Sequence, residues 1–404
     1  MKKKLLAAAL IGLAAIGITA CGGNGGGDDD GARSTVLDPI AEKGSKMTDE
    51  ELLAEAKKES GKFIAYGNTS RIKTAVNNFV AKYGAELGLN ADNAMGSKKS
   101  DTETFTLLNN EAESANNSEG ASMALIQDSA TLDLYRKNSD ILTNYHSNLF
   151  DSKLDADELV PLANQYINKL FMWNNVEGEV APKFTNVWEL LDAKYKNKIY
   201  FKAPEKEAVN KNFLMTLTSP SWVTKMEKAY KDHYGKDFQP TDELKNASYA
   251  WIKGFLLNAD TTSFGGDTDI ANGLSKPENS GKVGLFVLSK LRSSSVLSEN
   301  LTVGAWEKES ITPFAGFMYG LYAQLVTKGP RPYTAMLFTN YLMTEEGFQP
   351  WASSIGGYSA NKDVPVHKDD QKTLSFYKNT LVMEDGKWIN EVQAELSPWI
   401  DGIK

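Results

Sequence analysis

Gly67-Asn68-Thr69-Ser70-Arg71 follows the apolar run "FIAY" and opens a helical pattern in which Ile72, Val76, Phe79 and Val80 share a face. Backbone N–H groups at a helix start lack intrahelical partners and carry partial positive charge, so such a junction attracts an anion. Thr69 and Ser70 add hydroxyl donors, and Arg71 adds a guanidinium fork suited to an oxyanion. The same residues have a purely local use: Asn68, Thr69 or Ser70 as helix cap, Arg71 as a solvated surface charge. Gln127-Asp128-Ser129 follows "MALI" in the same way, and Asp128 either accepts from a ligand amine or hydroxyl or caps the helix-like "ATLDLYRKN". Glu205, Lys206 and Asn210 follow the strand-like "KIYF", the last two one helical turn apart. Ligands of open α/β sheets bind beyond the carboxyl ends of strands, and that rule selects all three clusters.

Other chemistries lack their residues. The three histidines, His146, His233 and His367, include no pair at i+3 or i+4, so a histidine metal site is unsupported and no metal site is expected. "GLSKPENSGKVG" spaces its glycines too widely for a phosphate-binding P-loop and puts Val283 where Ser or Thr belongs. "DTDIANG" lacks the closing glutamate of a calcium loop, and no G-x-S-x-G elbow exists. The reading is therefore of a non-enzyme without cofactor. Abundant Asp and Glu leave a carboxylate-pair hydrolase as an alternative.

The elements that would position these clusters alternate along the chain. Thr48 and Glu51 form a capping box for "LLAEAKKES". Residues 62–67 read as a strand, and the helix after it is expected to stop at Gly84. Further strands are "ASMALIQDS", "KLFMWNN", "KIYF" and "KVGLFVLSKL", separated by helical stretches such as "SDTETFTLLNNEAESAN", "SWVTKMEKAYKDHYG" and "TDELKNASYAWIKGFLLNA". "RPYTAMLFTNYLMTEEGFQPWASSIGG" reads as one long helix broken at Gly347 and Pro350. The class is α/β.

The chain's single cysteine, Cys21, sits between the apolar run 5–20, preceded by Lys2-Lys3-Lys4, and a Gly/Asp tract. With no second thiol a disulfide is impossible. "ITAC" resembles the lipobox of bacterial lipoproteins, which implies cleavage after residue 20 and lipid attachment at Cys21. Residues 21–46 are expected to be a flexible tether, because the Gly/Asp tract has too little apolar surface to order itself. Loss of residues 1–20 would leave a body three units more negative than the formal −8 of the whole chain. So acidic a body argues against nucleic acid as a partner.

Three stretches, "LLAEAKKESGKFIAYGNTSR", "ALIQDSA" and "GPRPYTAMLFTNYLMTEEGFQPWASSIGGYSAN", together with the leader resemble the extracellular solute-binding proteins of ABC importers. The branch is that of ferric-iron, spermidine and phosphonate-like binders, and the likeness spans residues 48 to 361. The resemblance implies a two-lobed type II periplasmic-binding-protein fold, each lobe a mixed sheet flanked by helices, with the ligand cleft between them. It places residues 47–165 and 312–362 in lobe one and 166–311 and 363–404 in lobe two. "QYINKLFMWN" and "ITPFAGFMYG" would be the crossovers. Trp173 and Asn174 then fall at the hinge, Trp173 as cleft wall or as core, with Phe317 and Tyr319 in a similar position after the second crossover. The partners implied are a small solute, a membrane permease and, through Cys21, the membrane itself; the chain would work as an extracytoplasmic monomer. Ferric-binding relatives present two adjacent tyrosines, and no Tyr-Tyr pair exists here. A small anion such as a phosphonate or sugar phosphate suits the helix-start chemistry better. Iron, a polyamine, or a sensor or adhesin role on the same fold are the alternatives.

Overall fold

A computed structural model describes residues 31–114, 118–176, 183–307 and 311–403. The leader, Cys21 and residues 22–30 of the expected tether lie outside these. Residues 32–404 form one compact unit. Among the described residues no helix is long and apolar enough to cross a membrane.

Order begins earlier than the expected tether end at 46. The Thr35 N–H donates to Asp38 Oδ2 at 2.7 Å, and α1 (Asp38–Ser45) follows with Pro39 in its first turn. Leu37 and Ala41 are buried, which gives this stretch the apolar anchor a Gly/Asp tract lacks. Next come α2 (Asp49–Ala56), β1 (Phe63–Gly67), α3 (Arg71–Leu87), β2 (Ala94–Lys98), α4 (Asp101–Ala112), β3 (Met123–Ile126), α5 (Ser129–Asn138) and β4 (Leu142–Thr143). The capping box at α2 forms as read: Glu51 N–H donates to Thr48 Oγ1 at 3.3 Å, and Thr48 N–H donates to Glu51 Oε2 at 2.9 Å. Helix α3 runs past Gly84 and ends at Gly88, whose φ of +63° makes the left-handed turn that stops a helix.

The long β5 (Ala163–Asn174) leads to short helical segments at Val187–Leu191 and Ala193–Tyr195. Then follow β6 (Ile199–Phe201), α6 (Ala208–Thr216), α7 (Pro220–Tyr234), α8 (Ala247–Asn258), β7 (Ala259–Asp260), α9 (Asp267–Leu274), β8 (Val283–Val287), α10 (Ser295–Asn300), β9 (Leu301–Val303) and β10 (Gly316–Val326). The expected long helix is two: α11 (Pro332–Leu342) and α12 (Glu345–Ala352). The break falls at Met343-Thr344 because Thr344 caps α12, its Oγ1 accepting from Gly347 N–H at 3.1 Å. Gly347 and Pro350 lie inside α12. The chain closes with β11 (Gly357–Ser359), α13 (Leu374–Thr380), β12 (Val382–Met383) and α14 (Gly386–Asp401).

Strand order is β2-β1-β3-β10-β5-β8-β6-β7. On one side β1, β2 and β3 are parallel, and on the other β6, β7 and β8 are parallel. The two antiparallel strands between them, β5 and β10, belong to both sides. The first part of β5 pairs with β11 and its last part with β8 and β9, while the last part of β10 pairs with β3. The stretches read as crossovers, 165–174 and 311–320, contribute to these two strands; the β1–β3 side is the first lobe and the β6–β8 side the second.

Each side has its own aromatic packing. Phe63, Phe79 and Phe338 meet with centroids 5.1 to 5.8 Å apart in the first. Phe314 meets Trp222, Trp251 and Phe213 at 5.4 to 5.9 Å in the second. Each fully buried ring of this size contributes on the order of 2 kcal/mol from apolar burial.

Candidate functional site

A cavity of about 510 Å³ lies where the two sides face each other, a size suited to a small solute. Its first-lobe wall comes from the carboxyl ends of three parallel strands. Asn68, Thr69, Ser70 and Arg71 follow β1, Ser100 and Asp101 follow β2, and Gln127 follows β3. The opposite wall follows the same rule: Lys202 lies after β6, and Ser289, Lys290 and Arg292 lie after β8. The floor is the crossover pair, with Gln165 and Ile167 on β5 and Tyr319 on β10. Glu207, at the start of α6, completes the wall.

The start of α3 is built to stay open. Ser70 sits at the cap position but makes no side-chain capping bond, against the sequence expectation that Asn68, Thr69 or Ser70 would supply one. Asn68 Oδ1 is buried and has no partner among the described residues. The helix thus presents its positive end and its hydroxyls to the cavity.

Cationic charge converges on this space. Arg71 Nη2 donates to Ser354 Oγ at 3.1 Å, and Arg292 Nη1 donates to the same oxygen at 2.5 Å. One guanidinium comes from each side of the cavity. Burial, reinforced by the Arg292 charge, depresses Arg71 to about 10. Burial also depresses Lys290; Asp267 opposes this, while Arg292, Lys169 and Arg71 add to it. Among the described residues no carboxylate lies within 4 Å of Arg71, Arg292 or Lys290.

The remaining charges are matched. Lys169, on β5, has no exposed side-chain surface and donates to Glu207 Oε2 at 2.6 Å and Asn210 Oδ1 at 2.9 Å, with Asp267 at 3.3 Å. Burial works against its charge, but Asp267 and Glu207 outweigh that and hold its ammonium above the ordinary value. Burial likewise opposes the Glu207 charge, yet Lys169 and then Lys202 hold that carboxyl below its ordinary value. Asp101 accepts from the Gln127 and Asp128 N–H groups at 3.3 and 3.0 Å. Burial and the neighbouring Asp128 still push it up to about 6.

Several residues singled out from the sequence lie elsewhere. Asp128 caps α5, accepting from Thr131 N–H at 3.1 Å, and with Glu205 and Lys206 lines a separate cavity of about 370 Å³. Ser129 is buried against Gly386 at the start of α14. Asn210 is fully buried behind the wall, its Nδ2 donating to Lys202 O at 2.8 Å. Trp173 is core, packed on Phe184 at 6.1 Å. Asn174 donates to Leu274 O and Lys276 O at 2.6 and 2.7 Å, a structural tie with no exposed surface to offer. Phe317 lies under α6, stacked on Phe213 at 4.4 Å. The cavity residues beyond the three clusters, Arg292 and Lys290 above all, follow the strand "KVGLFV" and so obey the same strand-end rule. Ser100 and Asp101 follow β2, whose sequence "AMGSK" carries no β-branched or aromatic signal.

No cluster of three His, Cys, Asp or Glu suited to a metal occurs among the described residues. Tyr319 is the tyrosine on the cavity wall. Burial, with the charges of Glu207 and Asp267, raises its phenol well above the ordinary value, so it stays protonated.

No protein-family model matches the chain, and no curated protein matches it. Solved structures do. A ferric binding protein from Campylobacter jejuni is 16% identical, with a TM-score of 0.58 over 85% of this chain and 99% of its own. The Trichodesmium protein IdiA (FutA), in complex with iron and citrate, is 15% identical, TM-score 0.58, over 85% and 100%. An ABC transporter protein from Clostridium perfringens is 14% identical, TM-score 0.55, over 85% and 98%. At these identities the likeness establishes the architecture: this chain has the two-lobed type II periplasmic-binding-protein fold.

Proposed function

We propose that this protein is the solute-binding component of an ABC importer, held outside the cytoplasm by lipid on Cys21, and that its solute is a small oxyanion such as a phosphonate or sugar phosphate. The observation that carries this reading is the convergence of Arg71, Arg292 and Lys290 on one cavity with no carboxylate within ion-pair reach among the described residues. Like charges at such range repel by a few kcal/mol even at an effective dielectric near 20. An anion between them turns that repulsion into attraction on both sides. The uncapped start of α3 adds donors to the same point.

Closure follows from the same electrostatics. Arg71 stands on one side of the crossover strands, and Arg292 and Lys290 on the other. Without an anion their repulsion favours separation; with one, approach is favoured. A ligand shifts such an equilibrium by its difference in affinity for the two states, and here that difference is built into the charge layout. A closed, loaded form is the species a permease would accept. Iron, bound by several of the proteins this fold resembles, is less well supported by the residues: no cluster of three His, Cys, Asp or Glu suited to a metal is found among the described residues, and the sequence holds no adjacent tyrosine pair. A polyamine would meet a wall with more cations than free carboxylates.

Small-angle scattering of the full chain tests this. Phosphate, phosphonate or sugar-phosphate ligands are expected to reduce the radius of gyration. Arg71→Ala and Arg292→Ala are each expected to weaken binding about 10- to 100-fold, the range for a charged hydrogen bond. A radius indifferent to every oxyanion tried, or arginine variants that bind as well as the parent, would defeat the proposal.

A further inference from the structure

We infer that the solute carries hydroxyl groups beside its anionic head, as a polyol or sugar phosphate does, and that Gln165 with Asn68 forms the neutral subsite that reads them. This rests on the oxyanion reading above and narrows it. Gln165 has no exposed surface, yet lines the cavity, and neither its Nε2 nor its Oε1 finds a partner among the described residues. It sits on β5 opposite Ser359 of β11, and a Cβ on Gly357 would come within 3.0 Å of its Nε2. The absence of a side chain at 357 is what leaves the carboxamide its place. Asn68 Oδ1, on the facing loop, is a second buried acceptor without a partner on the same cavity.

A buried carboxamide left unpaired is costly, so the group that enters should answer both its ends. An oxyanion only accepts; it satisfies Nε2 and leaves Gln165 Oε1 and Asn68 Oδ1 bare. A metal ion only takes electron pairs and leaves Nε2 bare. A hydroxyl donates and accepts, and two of them satisfy all three atoms. An ammonium could donate to both oxygens. It would, however, sit in a wall bearing Arg71, Arg292, Lys290 and Lys202, against Glu207, already held by two lysines, and Asp101, already accepting from two backbone N–H groups. The arrangement therefore favours an uncharged, hydroxylated body on an anionic head. Sites built to hydrogen-bond a hydroxyl reject analogues lacking it far more strongly than apolar pockets reject a change of size.

Calorimetry on the full chain would use glycerol 3-phosphate, glucose 6-phosphate, ethyl phosphate, 2-aminoethylphosphonate and inorganic phosphate. At least one hydroxylated phosphate is expected to bind about 10- to 100-fold more tightly than ethyl phosphate, which shares the head and lacks the hydroxyls. Gln165→Leu is expected to bring that ratio to within about threefold. Ethyl phosphate binding as well as both hydroxylated compounds overturns the inference and leaves the oxyanion reading intact; so does 2-aminoethylphosphonate binding most tightly. Failure of every compound, inorganic phosphate included, removes the oxyanion reading and this inference with it. The wild-type comparison needs no variant, so it decides even if Gln165→Leu folds poorly.

Discussion

Lys169 is held by two carboxylates and a carboxamide with no water-exposed surface of its own. Taking such a group out of water is expensive, and the network is stable because every partner is present. Lys169→Met would leave Asp267 without its lysine and Glu207 with only the more distant Lys202, 3.7 Å away. Equilibrium denaturation in urea is expected to show a loss on the order of 3 kcal/mol, moderated by the partial exposure of Glu207. Combining it with Glu207→Gln should cost less than the two single losses together, and strict additivity would count against a coupled network. This residue also shows where a sequence stops informing. Alternation along β5 puts Gln165, Ile167, Lys169, Phe171 and Trp173 on one face, and along β10 it puts Phe317 with Tyr319. The face could be read; what covers it could not. Gln165 and Tyr319 meet the cavity, whereas Phe184 covers Trp173 and α6 covers Phe317. Arg71 and Arg292 are separated by more than two hundred positions, and their meeting at Ser354 leaves no trace in spacing.

At the scale of elements, the βα junctions were legible because their signals are local. The capping box of α2, the strand 62–67, and the alternation of strand and helix each depend on neighbours a few residues apart. The break between α11 and α12 was misplaced because tertiary packing keeps Gly347 and Pro350 helical, while Thr344 sets the boundary. The crossovers depend on one backbone feature that composition does not flag. Gly316 begins β10 with φ +147°, a conformation that residues with a side chain rarely adopt. A Cβ there would fall 2.1 Å from Lys169 O on β5. Gly316→Ala is therefore expected to cost on the order of 2 to 3 kcal/mol in thermal or urea unfolding, through strain and parting of the two crossover strands. An unfolding midpoint within a degree of the parent would show that the strands can shift apart freely here.

The whole molecule is tied together by its last 20 or so described residues. Helix α14 bonds to both sides: Asn390 Nδ2 donates to Ala130 O and Asp133 Oδ2 of α5 at 3.0 and 2.8 Å, and Lys211 of α6 donates to Ser397 Oγ and pairs with Asp401 at 3.1 and 2.8 Å. Just before it, Glu384 is buried between α5 and α6. It accepts from Asn212 Nδ2, lies by Ser129, and faces Asp128 and, further off, Asp101. Burial, then the Asp128 charge, pushes its carboxyl up to about 8, with Asn212 and Ser129 opposing. The sign follows from which state holds the proton. Between the ordinary glutamate value of 4.5 and about 8 the unfolded chain has released it and the folded chain keeps it. Stability from this group is thus complete below 4.5 and is lost as pH rises toward 8, by up to about 1.4 kcal/mol per pH unit. Asp101, raised to about 6, acts in the same direction but is exhausted above that pH, and Asp155, lowered to about 2 by Lys362 and Lys378, acts only in acid. His146, held by burial below its ordinary 6.5, adds an opposing slope around that pH, so the interval from about pH 7 to 8 reports Glu384 most directly. The parent's melting temperature should fall across it, and Glu384→Gln, which keeps an acceptor for Asn212 without the charge, should flatten that fall. Equal slopes in the two proteins would mean that Glu384 ionises with water at hand and that the seam under α14 is looser than its contacts imply.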